Sequence, residues 1–400
     1  MIKGILFYTG CILLIAFEIL KVYFIMPFPG SQESNTIDLA YFIHNNIFWI
    51  RLVLMAIISI PFYQIITKAK LKQKVLPIML LIFYAVIFYL FNFRFLADRM
   101  FLLPQQVIFS NSGTNKIPLK SLVVGVEFNG ESKAFPIEVI AYHHQVQDKI
   151  GGVPVLVTYC SVCRTARVYS PVINGKAEHF RLVGMDHFNA MFEDATTKTW
   201  WRQSTGEAIA GELKGEALRE LPSHQMTLSA WLQLHDQSLI MQPDKNFANK
   251  YDELKGFGDG SLKSSLEGRD TASWQKKSWI VGIVHNGLAR AYDWNDLQKL
   301  KIINDTLNGD SITLVLNSDK ESFVFFSSGI DSMNKSITFF VSIIDSKNFI
   351  ITDRQTNSIW NVEGVCIQGE LKGTKLKPLQ GYLEFWHSWK TFHPNTTVYK

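Results

Sequence analysis

The sequence predicts an α+β, strand-dominated soluble part built from two homologous repeats and preceded by a transmembrane helical region. Three observations carry that prediction. The first hundred residues hold three long apolar stretches. Further on, SLVVGVEFNGESKAFPIEVI from Ser121 can be laid on SWIVGIVHNGLARAYDWNDL from Ser278. Within each copy, an Asn-Gly pair sits between alternating apolar runs, which is the signal of a two-residue hairpin. The chain is 47% hydrophobic and 19% charged, so it can fill a core and is not disordered. Four cysteines are too few for a small disulfide scaffold.

The first apolar stretch covers residues 4–26. Glu18 and Lys21 interrupt it, but their i,i+3 spacing lets them pair on one helix face. A signal peptide is the competing reading, which leaves two spans, yet no Ala-x-Ala-like site follows Lys21. The second stretch covers 47–67, with Arg51 near one end where it can snorkel. The third, 75–93, has no charged residue and is long enough to cross a hydrocarbon core of roughly 30 Å. Residues 1–100 therefore read as a membrane anchor. Lys68, Lys70, Lys72 and Lys74 fill the second connection, while the first has Glu33 and Asp38 but no Lys or Arg. The positive-inside rule then puts the N-terminus in the cytoplasm and residues 101–400 outside it, despite Arg94 and Arg99. The lipid bilayer is the expected partner. Residues 101–400 carry no basic excess, so nucleic acid is not.

The first repeat is placed at 101–241, a polar linker at 242–275 and the second repeat at 276–400. Val124, Gly125, Asn129, Gly130 and Ala134 match Val281, Gly282, Asn286, Gly287 and Ala291. Further coincidences follow with small changes of offset: Thr196 and Trp200 with Thr356 and Trp360, GELKG from Gly211 with GELKG from Gly369, and Trp231 and His235 with Trp389 and His393. Pro136 opens a short helix to about Gln145. Val153–Tyr159 and Arg167–Ile173 read as strands, and a helix over Thr227–Leu234 closes the unit.

Features in both copies read as structural, and features in one copy as candidates for function. Cys160-Ser-Val-Cys163, His143 and His144 occur only in the first copy. Three readings of the Cys pair stay open. A metal knuckle would place both thiolates on a zinc or copper ion, with His143 or His144 as further ligand and His187 and Met185 behind. A redox pair would cycle with a disulfide, helped by the positive charge of Arg164. A structural disulfide would suit an oxidising compartment. Glu193 and Asp194, aligned with Asp353 and Arg354, and Asp148, aligned with Asp305, read as turn acids that hold backbone N–H groups. Whether the protein is an enzyme stays open. The reading is a membrane-anchored extracytoplasmic protein with a metal-binding or thiol-redox site, or else a non-catalytic ligand- or partner-binding domain with a Cys160–Cys163 disulfide.

The run from His143 through Gly152-Val-Pro-Val-Leu-Val-Thr-Tyr-Cys-Ser-Val-Cys163, with Met191-Phe-Glu-Asp-Ala-Thr and Trp200 beyond it, resembles the family called domain of unknown function 3179. The resemblance covers roughly 105–400 and implies His143, Cys160 and Cys163 as site residues. The chain differs from the family pattern where His144 replaces a Glu, where Ser161 and Arg164 replace the Pro and Gly around the second Cys, and where Asp194 replaces an Arg. The family implies no activity.

Overall fold

Mean apolarity over long stretches decides the first elements. The computed structural model describes residues 2–330, 335–345 and 348–400. Gly4–Tyr23, Ile37–Lys68 and Leu71–Arg94 are helices long and apolar enough to cross a membrane. The second is longer than the apolar stretch that announced it, because Ile37–Asn46 continue the same helix on packing partners that the hydropathy does not show.

The chain forms two units, residues 1–102 with Glu178–Leu218, and Leu103–Ala177 with Arg219–Lys400. The first unit joins the three helices to a sheet ordered Ala208–Ala210, Trp200–Arg202, Asn189–Asp194, Phe180–Asp186. Tyr41 and His44, on the extra turns of the second helix, meet the edge of the Trp200 ring at 5.0 and 5.4 Å. Inside the helices, Glu18 is fully buried and takes Arg51 Nε and Nη2 at 2.5 and 2.8 Å. Asn92 also donates to Glu18, at 3.0 Å, and accepts from Lys21. The Glu18–Lys21 pairing expected from spacing is thus part of a wider buried network that ties all three helices together, since an isolated charge in hydrocarbon is costly. Asn92 lies on a π-helical turn, Leu90–Arg94.

The second unit contains two similar element strings. The first runs from the hairpin Leu122–Phe128/Glu131–Pro136 through the helix Ile137–His143 to the meander Gln145–Ile150, Val153–Cys160, Thr165–Tyr169. The second runs from Trp279–His285/Leu288–Asp293 through Trp294–Leu300 to Ile302–Leu307, Asp310–Leu316, Phe323–Ser327. Each closes with a helix, Leu228–Leu234 or Trp386–Phe392, and a last strand parallel to the second strand of the opening hairpin. The hairpin turns are of the expected mirror-image type. Asn129 and Gly130 have φ of 52° and 82°, and Asn286 and Gly287 have 48° and 79°. Pro136 caps the first short helix, and Thr227 caps the closing one by accepting from Ala230 N at 3.1 Å. The predicted strand Arg167–Ile173 is broken, because Thr165–Tyr169 and Val172–Ile173 join different sheets.

Two expectations about acids are corrected. Asp194, not Glu193, is the counterpart of Asp353. Asp194 accepts from the N–H groups of Thr197 and Thr199 and from Trp201 Nε1 at 3.0 Å. Asp353 does the same with Thr356, Ser358 and Trp360 Nε1 at 2.9 Å. Trp201 thus makes the contact to Asp194 that Trp360 makes to Asp353. Glu193 instead holds Arg181 at 2.8 Å and Trp200 Nε1 at 2.9 Å. Asp148 is a strand residue paired with Lys133 at 2.9 Å, as Asp305 is with Arg290. The turn N–H of Gly151 goes to Glu131.

Candidate functional site

A strand buried on both faces alternates between two environments. In Val153–Cys160 one set, Val155, Val157 and Tyr159, joins the apolar core with Ala166 and Val168 of the next strand. The other set begins with Pro154 and Leu156 and turns polar at Thr158 and Cys160. Gln145, Thr158 and Arg167 stand in register across three strands, and Cys160 pairs with Thr165 in the next row. Those five side chains belong to residues no more than 2% exposed, so this sheet face is polar yet shut off from solvent. Buried polar groups persist only where they find partners.

Cys160 ends the strand and Ser161–Arg164 turn the chain, with Arg164 in the left-handed region at φ 55°. The turn brings the thiols of Cys160 and Cys163 into hydrogen-bond contact, and Cys163 also contacts the Ser388 hydroxyl. Ser388 Oγ donates to Glu384 at 2.5 Å, and Glu384 takes Arg167 Nη2 at 3.0 Å. Arg167 lies over the Tyr382 ring at 3.4 Å and donates to Thr165 Oγ1. Backbone contacts fix the same junction, with Phe385 N donating to the Cys163 carbonyl at 2.8 Å. The thiol pair therefore rests on a buried ion pair whose acid, Glu384, comes from the second half of the unit. Burial, then the neighbouring Cys160 and the charge of Glu384, push the Cys163 thiol well above its ordinary value. The Cys163 thiol is thereby held in its neutral form.

The structure does not gather the expected ligand set. His143 Nε2 is 2.7 Å from the Tyr251 hydroxyl, and its ring packs on Phe247. His144 Nδ1 is 2.9 Å from the Tyr159 carbonyl. Among the described residues, no three His, Cys, Asp or Glu side chains are placed to hold a metal ion. His187 and Met185 belong to the other unit. There His187 pairs with Asp186 at 2.6 Å, and Met185 is a buried strand residue whose N–H donates to the Ile25 carbonyl. Arg164 does not serve the thiols either. Its two Nη groups donate to the carbonyls of Phe257 and Gly258 at 2.7 and 2.6 Å, and its guanidinium stacks on Trp279 at 3.7 Å. No disulfide joins the four cysteines, and Cys366 is a small buried residue.

Burial, with a smaller push from His143, lowers His144 to about 4, although the Tyr159 carbonyl favours its charged form. Its folded value lies below the unfolded value of about 6.5. The stability it contributes is then complete above pH 6.5 and is lost as pH falls toward 4, by about 3 kcal/mol. We expect acid to destabilise the protein in this window, and His144→Asn, which tolerates the φ of 61° at this position, to flatten the loss. Urea denaturation at pH 7 and pH 4.5 checks it, and an unchanged slope in the variant contradicts it.

Sequence reasoning missed Arg167, Glu384 and Ser388. Their signal was present in the alternation itself: Thr158 and Cys160, then Thr165 and Arg167, put polar residues at every second position of two strands that are otherwise apolar. Nothing among the curated proteins or the solved structures matches the chain. One family profile does, over residues 108–396, and with most of its length covered the chain belongs to the family described as protein of unknown function DUF3179.

Proposed function

We propose that this is a membrane-anchored extracytoplasmic protein, its soluble part a duplicated unit, in which Cys160 and Cys163 form a dithiol–disulfide couple. The observation that carries the reading is the thiol–thiol contact at the hairpin turn, with a serine hydroxyl on one side; among the described residues, no three His, Cys, Asp or Glu side chains are placed to hold a metal ion. Both thiols are fully buried, so the couple would act by exchange on local opening of the turn. The two thiols would lose two protons and two electrons in forming one disulfide, while a second disulfide takes them up and becomes two thiols. The Lys68–Lys74 connection supports an N-terminus in the cytoplasm. The parallel element order of the two strings supports duplication.

The test uses the full chain in detergent, purified without chelator. Metal content and alkylatable thiols are measured before and after glutathione disulfide, with Cys160→Ser as control. The expected result is no stoichiometric metal and the loss of two thiols on oxidation, absent in the variant. Stoichiometric metal that disappears in Cys160→Ser overturns the reading.

A cleft of about 410 Å³ favours a second reading, that of a non-catalytic ligand-binding module in which the Cys pair is a structural disulfide. Its walls mix Phe323 and Phe325 with His224, His235, Glu363 and Lys375. A disulfide already complete in the purified protein and resistant to glutathione favours this reading over the first.

A further inference from the structure

The segment that follows the first element string, from Lys255 to Lys277, is tied to the Cys turn through the Arg164 side chain. Arg164 comes immediately after Cys163 and adopts a backbone conformation that glycine takes readily and arginine does not. That conformation costs of order 1–3 kcal/mol unless its surroundings impose it. What imposes it is the side chain's attachment to Phe257 O and Gly258 O, and its place between the Phe257 and Trp279 rings. Arg269, from farther along the segment, stacks on the same indole at 3.8 Å. Gly260 also sits against it, where a Cβ would lie 2.6 Å from Cζ2. The segment thus converges on Trp279 and Arg164. Beyond this point it walls a cleft of about 920 Å³ in which Lys263, Arg269, Lys276 and Lys277 outnumber Asp270.

We propose that Arg164 makes this segment, and the basic cleft it walls, respond to the redox state of Cys160 and Cys163. The inference rests on the dithiol–disulfide reading above. Forming the disulfide replaces a thiol–thiol hydrogen bond by a covalent bond of about 2.05 Å with a restricted dihedral. The turn between the sulfurs has two residues, and in this proposal its backbone, with residue 164 the next one along, rotates as the bond closes. The Arg164 fork donates to two adjacent carbonyls and cannot keep both bonds when its Cα turns. Two protons and two electrons leave the thiols, and glutathione disulfide takes them to become two molecules of glutathione.

Hydrogen exchange of the full chain in detergent reads the effect, on peptides spanning 254–278, with and without glutathione disulfide. Thiols are counted by alkylation and mass on the same samples. Two lost thiols, with roughly tenfold or faster exchange at the amides of residues 256–262, is the expected result. Two lost thiols with unchanged exchange overturns the coupling and leaves the couple standing. Both thiols retained overturns the couple and the coupling with it. In Arg164→Gly the segment should exchange fast in both redox states. If that variant does not fold, Cys160→Ser serves, and its segment should stay protected in the presence of glutathione disulfide.

Discussion

Replacing Glu384 with Ala is expected to cost about 3–5 kcal/mol of stability, because it leaves the Arg167 guanidinium buried without its main counter-charge. Both side chains are no more than 2% exposed. The remaining acid near Arg167, Glu220, is 3.7 Å away and about one-third exposed, so it compensates weakly. The Ser388 hydroxyl loses its acceptor in the same step. Burying a pair of charges earns little by itself, and the cost comes from stranding one of them. The double variant Arg167→Met with Glu384→Leu should therefore recover most of the loss. Denaturant unfolding of the full chain in detergent, followed by tryptophan fluorescence, checks both. A loss under 1 kcal/mol for Glu384→Ala, or a double variant as unstable as the single, contradicts the account.

Gly125→Ala and Gly282→Ala should each destabilise the protein by 1–3 kcal/mol or more, with similar size in the two positions. A Cβ on Gly125 would lie 2.3 Å from the Trp231 ring, and one on Gly282 would lie 2.4 Å from the Trp389 ring. Neither ring can swing away cheaply. Trp231 Nε1 donates to Ser238 at 2.7 Å and Trp389 Nε1 to Thr396 at 2.8 Å, and each indole has a histidine stacked on it at 4.1 Å. Trp231→Phe in the Gly125→Ala background should restore part of the loss by making room, which a double-mutant cycle measures. Additive losses would mean that the close approach of strand and ring is not the cause.

Much of this scaffold was legible because local chemistry decides it. The Asn-Gly turns, the Pro136 and Thr227 caps and the apolar helices each follow from a few neighbouring residues. The polar sheet face was harder to read. Its alternation is visible in the sequence, but its partner Glu384 lies more than two hundred residues away, and no local rule links that acid to Arg167. The expected ligands are held apart for a related reason. His143 and His144 are close to the Cys pair in sequence, yet the left-handed residue at 144 ends the helix and sends one ring to Tyr251 and the other to the Tyr159 carbonyl. By sequence Arg164 reads as an electrostatic helper of its neighbour, whereas two carbonyls nearly a hundred residues downstream hold it.

The first unit is discontinuous in the chain, its helices at 1–102 and its sheet at Glu178–Leu218. This imposes an order on biogenesis. Tyr41 and His44 leave the ribosome more than 150 residues before Trp200, which they pack against, is made. At roughly 5–20 residues per second, that is a wait of about 8–30 s. Over that interval the protruding turns of the second helix stand without the sheet they were shaped for. Release of a chain truncated before Trp200 would leave them so permanently.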